Sequence, residues 1–202
     1  DRYFVSTHTR TLETAALLNL HGEQWEADFQ LRERETGLWG AIPDKKWQKR
    51  HEMSMRPHRN HRFYTPMPDG ESIADVCIRL RGFVSRLYRE CGNKQRVVIV
   101  SHGDTIQALR IIFENILPDR YDELSKENSH EFKIGNCQII HYTRVNPNDP
   151  DYIILDNLGW VRSINPWNPS YAGHDWRDIT DNSYNKAELL ELAECHKRLI
   201  KE

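Results

Sequence analysis

Val97-Val98-Ile99-Val100-Ser101-His102-Gly103-Asp104-Thr105 carries the reading of the fold. A β-branched run ends abruptly in Ser-His-Gly, and Ile106 to Ile112 then reads as a helix. A continuous apolar run of this kind suits a strand buried on both faces of a parallel sheet. In such sheets ligands bind outside the carboxyl ends of the strands. His102 stands at that end, and Gly103 lets a ligand approach the backbone closely. The first amides of the following helix can receive an anion. The other reading of His102 is a histidine satisfied by local hydrogen bonds at a strand end.

Upstream of this stretch, Arg2 to Thr7 predicts a short strand. Thr7 or Thr9 could cap a helix through Arg10 to Leu17, with Leu17-Leu18 on its buried face. Trp25 to Leu31 reads as extended, and residues 31–40 as a glycine-punctuated loop. Glu71 to Arg89 is amphipathic, with Ile73, Val76, Leu80, Phe83 and Leu87 at helical spacing. Downstream of the Ser-His-Gly stretch, Asp119 to Leu124 suggests a helical turn. Cys137 to Tyr142 alternates as a strand, and Tyr152 to Leu155 could pair beside it. The segment 156–184, with its Asn, Pro, Gly and Trp, reads as irregular surface wrap. Lys186 to Lys201 predicts a terminal helix. Strands alternating with helices give an α/β chain: a three-layer sandwich with a mainly parallel sheet flanked by helices.

The length of 202 residues suits one domain spanning 1–202. A net charge of -2 argues neither for nucleic acid nor for a membrane surface, and neither partner is expected. No stretch approaches the ~20 apolar residues of a membrane span, and no signal peptide is read. Cys77, Cys91, Cys137 and Cys195 are scattered without a CxxC pair, which fits reduced thiols in a cytoplasmic protein. The chain opens on Asp1 and runs directly into Tyr3-Phe4-Val5-Ser6, a strand already in progress. Further residues are expected upstream of Asp1.

Four places could carry chemistry. Arg10, after Ser6-Thr7-His8-Thr9, can offer a bidentate fork to a phosphate or carboxylate, or be a solvated first-turn arginine. Glu33 can serve as a general acid, or form a surface salt bridge with Arg32 or Arg34. Glu71, in a first helical turn, suits the helix dipole and a structural role. His102 is the fourth.

Taken in order, Ser6…Arg10-Thr11-Leu12-Glu13-Thr14-Ala15, Leu31-Arg32-Glu33-Arg34-Glu35-Thr36-Gly37, Gly70-Glu71-Ser72 and Val98-Ile99-Val100-Ser101-His102-Gly103 resemble the histidine phosphatase superfamily, which includes the phosphoglycerate mutases. The resemblance covers residues 3 to 142, including the strand-like Asn136-Cys137-Gln138-Ile139. It implies a phosphoglycerate mutase-like fold and a phosphohistidine mechanism without metal or cofactor. Arg10 would clamp the transferring phosphoryl group and Glu33 would protonate the leaving oxygen. His102 would donate to the phosphoryl oxygens, with Ser6 and the Gly103 amide nearby. Phosphoryl transfer asks chiefly for positioning and for donors around the equatorial oxygens.

One departure from the family matters. The family opens on an Arg-His-Gly strand whose histidine takes the phosphoryl group. His102 alone precedes a glycine at a strand end, and His21-Gly22 falls in the wrong order. Either that strand lies upstream of Asp1, or the chain is a relic without the nucleophile. The abrupt start favours the first.

Residues 41–67 interleave Lys45, Lys46, Lys49, Arg50, Arg56, Arg59 and Arg62 with His and aromatic residues. They fall where the family inserts a substrate-covering segment, so the resemblance makes them a cationic lid, with Arg59 and Arg62 as substrate-binding residues. A solvated basic loop is the alternative. His51, His58 and His61 lie at mixed spacing, and no metal site is expected there. The short distance from Glu33 to Gly70 tilts the reading from mutase to phosphatase. The expectation is a phosphomonoesterase acting on a small soluble ester. A phosphoglycerate mutase and a non-catalytic phosphate-binding interaction domain are the alternatives. A homodimer is left open.

Overall fold

In the computed structural model, the described residues are 1–20, 22–37, 40, 61–91, 95–126, 132–148, 154–168, 173–179 and 183–195. Their first half is a parallel sheet under two packed helices. The strands are β1 (Arg2–Ser6), β2 (Trp25–Asp28) and β3 (Val97–Val100), in the order β2-β1-β3. Both pairings are parallel, with Phe4 opposite Glu26 on one side and Ile99 on the other. All three carboxyl ends therefore point the same way.

The connecting helices are α1 (Thr9–Leu17), α2 (Ile73–Glu90), α3 (Gly103–Phe113) and α4 (Pro118–Lys126). Helix α2 starts where its capping chemistry demands. The Ser72 side chain accepts from the Asp75 amide, and the Asp75 carboxylate accepts from the Ser72 amide. Its apolar stripe of Ile73, Val76, Leu80 and Phe83 is fully buried. Those residues meet Phe4 from β1 and Ala108, Leu109 and Ile111 from α3. Phe4 and Phe83 pack edge to face at 5.3 Å, a geometry that adds to simple area burial.

A second sheet follows: β4 (Ile139–Thr143), β5 (Trp160–Ile164) and β6 (Arg177–Asp178), antiparallel in the order β4-β5-β6. The α/β class and the parallel sheet are as expected. The antiparallel sheet was not foreseen, because β5 and β6 lie within 156–184, read as irregular wrap. Trp160-Val161-Arg162-Ser163-Ile164 does alternate, and Val161 and Ser163 are the buried positions. Of Tyr152 to Leu155, Ile154 makes an isolated bridge to Val145, while Tyr152 and Ile153 lie outside the described residues.

Three further expectations change. Leu17 and Leu18 are exposed; α1 buries Thr11 and Ala15 instead. His8, not Thr7 or Thr9, stands at the N-cap of α1, and its side chain does not cap. Glu71 precedes the cap of α2, and Asp75 is the first-turn acid. The expected terminal helix is present as α5 over Lys186–Cys195, with Leu189, Leu190 and Leu192 exposed; residues 196–202 lie outside the described residues.

β3 itself is the largest departure. It pairs on one edge only among the described residues, and all of its residues are partly exposed. Val97 and Ile99 pack against the core. An edge strand is ordinarily blunted by a charge, a proline or a bulge, and Val-Val-Ile-Val has none.

Candidate active site

The loops leaving β1, β2 and β3 converge beyond the carboxyl ends of the sheet. The loop from β1 carries Ser6, His8 and Arg10, and the loop from β3 carries His102 as the N-cap of α3. His102 is 5% exposed. Its Nδ1 accepts from Arg10 Nε at 3.1 Å. An arginine can only donate, so the neutral imidazole carries its proton on Nε2. That atom lies 2.7 Å from Ser6 Oγ and 3.1 Å from His8 Nδ1. The two histidine rings meet nearly edge to face, 4.8 Å between centres at 84°.

This setting holds His102 neutral. Burial comes first and the positive charges of Arg10, His8 and Arg79 follow, pushing its pKa down to about 4. An imidazole titration followed by NMR should therefore find His102 uncharged at pH 5 to 6. An arriving phosphate dianion opposes that shift, so added phosphate should raise the midpoint. The folded-state pKa is below the unfolded one, so this group takes stability away as pH falls from about 6.5 towards about 4.

Arg10 spends only Nε on His102; its terminal nitrogens have no partner among the described residues. It is exposed, so its fork faces solvent beside the imidazole. Gly103 opens α3, and a Cβ built there would touch nothing within 4 Å. The helix start is therefore open on the side of the Gly103 Cβ position.

Glu33 occupies the third loop. The alternative, a surface salt bridge to Arg32 or Arg34, is not formed: Arg32 pairs with Glu35 and Arg34 with Asp104. Glu33 Oε1 accepts from the Arg34 amide at 2.9 Å and lies 3.5 Å from Thr105 Oγ1 on α3. Burial is the largest influence on its carboxyl and raises the pKa, with Asp104 adding to it and Arg10 opposing. A carboxyl group raised by burial is suited to hold a proton for donation.

The loop is stapled in place from several sides. Arg79 of α2 donates to the carbonyls of Gln30 and Arg32 and forms a two-pronged pair with Glu71. Glu71 accepts in turn from the Glu35 amide at 2.9 Å. Thr105 Oγ1 donates to the Arg32 carbonyl at 2.6 Å, and Ser101 Oγ to that of Leu31 at 2.8 Å. Glu71 is thus structural, as expected, but through Arg79 and not through the helix dipole. Gly37 has φ +54°, and a Cβ there would fall 2.1 Å from the Pro68 carbonyl oxygen. Gly37→Ala should cost about 2 kcal/mol or more, from left-handed strain plus that clash. Thermal unfolding should show a melting point lower by roughly 4–8 °C; an unchanged value would mean the loop does not depend on this approach.

The other expected site residues fare differently. Ser6 is fully buried, so it orients His102 and does not face a ligand directly. Arg62 donates to Asp104 at 3.1 Å, and Asp104 also holds the buried Arg34 at 2.6 Å. Arg59 lies outside the described residues, as do 41–60 of the basic segment. His8, Arg79, Arg34 and Asp104 were not singled out from the sequence. His8 could have been: it sits between Ser6, the last residue of β1, and Arg10 in the first turn of α1, on the loop that leaves the carboxyl end of the sheet.

The sequence pattern of the histidine phosphatase superfamily (branch 1) matches residues 1–146. The chain belongs to that superfamily. Solved structures agree on the fold. A mycobacterial glucosyl-3-phosphoglycerate phosphatase, in complex with VO3, is similar at 24% identity and a TM-score of 0.53. That alignment covers 60% of this chain and 62% of the other, so this chain spans less than two thirds of that protein. The same phosphatase with inorganic phosphate aligns over 90% of this chain and 76% of its own, at 18% identity and TM-score 0.56. A protein described as mycobacterial hydrolase 1 reaches TM-score 0.59 at 19% identity, covering 91% of this chain and 77% of its own. No curated protein matches the chain. No helix among the described residues is long and apolar enough to cross a membrane.

Proposed function

We propose that this histidine phosphatase superfamily member hydrolyses a small phosphate monoester through a phosphohistidine. The observation that carries the reading is Arg10 and His102 side by side at adjacent strand ends, 3.1 Å apart, with the arginine fork unpartnered. A guanidinium and an imidazole N–H there supply donors to the equatorial oxygens of a transferring phosphoryl group. Glu33, with its raised pKa, protonates the leaving alcohol. The solved relatives with VO3 and with phosphate fit this reading.

The nucleophile belongs, on this proposal, to an Arg-His-Gly strand upstream of Asp1. The apolar, unblunted edge of β3 that pairs with no strand among the described residues supports that placement. A strand added there ends beside His102. Its histidine attacks phosphorus, the ester oxygen leaves with the Glu33 proton, and water then cleaves the P–N bond. Unpaired Cys77, Cys91 and Cys137 fit a reducing, cytoplasmic setting, and the substrate is a small anionic ester met in solution.

The test is the protein expressed with the sequence encoded upstream of Asp1. It should hydrolyse p-nitrophenyl phosphate, and replacing the upstream histidine should abolish turnover. Phosphate binding without hydrolysis would favour an interaction domain. Phosphoryl movement between phosphoglycerate hydroxyls, stimulated by a bisphosphate, would favour a mutase.

A further inference from the structure

A cavity of about 90 Å³ lies between α3 and the antiparallel sheet, away from the site above. It is well above the ~10–15 Å³ that one water needs. Arg110, Arg162 and Arg177 line it, with Ser163 between them on β5. Arg110 is eight residues beyond His102, about 12 Å along the helix at ~1.5 Å per residue.

The charges around this cavity do not balance. Glu114 is the carboxylate that meets these arginines, and it is already engaged. It accepts from Arg110 Nε at 2.8 Å, from Arg177 and from the Tyr142 hydroxyl at 2.7 Å. Arg162 has no carboxylate partner among the described residues. It stacks on Trp176, 4.5 Å from the ring centre, and reaches the His141 ring nitrogen at 3.3 Å. His141 does not offset this charge: burial and then Arg162 lower its pKa and favour the neutral ring. Among the described residues, Arg110 and Arg177 share the Glu114 carboxylate, and Arg162 has none. Ser163 adds an independent donor. Its oxygen accepts from Gln138 Nε2 at 2.6 Å, and its own proton has no acceptor among the described residues.

We propose that this cavity is a second anion site, which takes a phosphate-class oxyanion between Arg162, Arg177 and the Ser163 hydroxyl. Such an ion offsets the guanidinium charge of Arg162 and accepts a hydrogen bond from the Ser163 hydroxyl. It bridges the antiparallel sheet to α3 through Arg110. The site is independent of phosphoryl transfer at His102.

The side-chain Nε–H signals of the arginines, read by NMR during titration with inorganic phosphate, test this. Arg162→Lys assigns the Arg162 signal by its loss. In an Arg10→Gln protein, which weakens the other pocket, the Arg162 signal should still shift and saturate. Chloride at equal ionic strength should leave it in place. Ser163→Ala keeps the stack on Trp176 and should weaken the phosphate effect about tenfold. An Arg162 signal that is unmoved by phosphate, that follows chloride equally, or that saturates alike in Ser163→Ala and in the parent overturns the proposal.

Discussion

His102→Ala, made in the protein that carries the upstream strand, should lower kcat/KM for p-nitrophenyl phosphate about 10²–10³-fold. That is a loss of about 3–4 kcal/mol of transition-state stabilisation. The imidazole is fixed from both sides before any ligand arrives. Arg10 holds Nδ1, and Ser6 and His8 face Nε2. With both ring nitrogens engaged, the imidazole donates to a phosphoryl oxygen by exchanging its Ser6 or His8 contact at Nε2 for the ligand, while Arg10 keeps the ring in place. Its removal also frees Arg10 Nε from its partner, so the clamp loses a support along with a donor. The effect should fall mainly on kcat, because the arginine fork still captures the ground-state dianion. Equal rates in variant and parent would remove His102 from the mechanism. A rise in KM alone would make it a binding residue.

Glu33→Gln should cost about 10²–10⁴-fold, with a size set by the leaving group. An alkyl phosphate releases a poor leaving group that needs the proton, so glycerol phosphate should show the full loss. p-Nitrophenolate leaves readily without help, so the aryl ester should lose far less. The carboxyl must be protonated to act. Burial raises its pKa, which carries the protonated form to higher pH than for a solvated glutamate. Activity on the alkyl ester should therefore decline as pH rises through that raised pKa, and the decline should vanish in Glu33→Gln. A glutamine variant with the same loss on both esters would point to a misplaced loop and not to a missing proton. Arg79 and Thr105 hold the loop by its carbonyls, independently of the Glu33 carboxyl.

Much of the parallel sheet was legible because its signals are local. Val97 to Val100 is β-branched, α2 has an apolar stripe at helical spacing, and Ser-His-Gly marks a strand end. The places that misled depend on what lies alongside in space. Leu17-Leu18 reads as a buried pair, yet α1 turns Thr11 inward, where its hydroxyl reaches the Ser6 and His8 carbonyls. Val97 to Val100 reads as buried on both faces, and pairing on one edge leaves it half-exposed. β5 hides among turn residues because its alternation spans Val161 and Ser163, one of them polar. Within the site, Arg10, Glu33 and His102 follow from motif order. The supports do not. Arg79 is one of many arginines on a helix surface until the Gln30 and Arg32 carbonyls come within its reach. Asp104 looks like a first-turn acid until Arg34 and Arg62 close on it.

The most direct measurement is to trap the phosphorylated protein during turnover. The protein with its upstream strand, mixed with a 32P-labelled ester and quenched within one turnover, should carry label that is stable to base and labile to acid. Peptide mapping should place it on the histidine of the upstream strand, and His102→Ala should slow its appearance. Acid-stable label on a serine, label on an aspartate, or hydrolysis with no labelled protein at any time would contradict the phosphohistidine account.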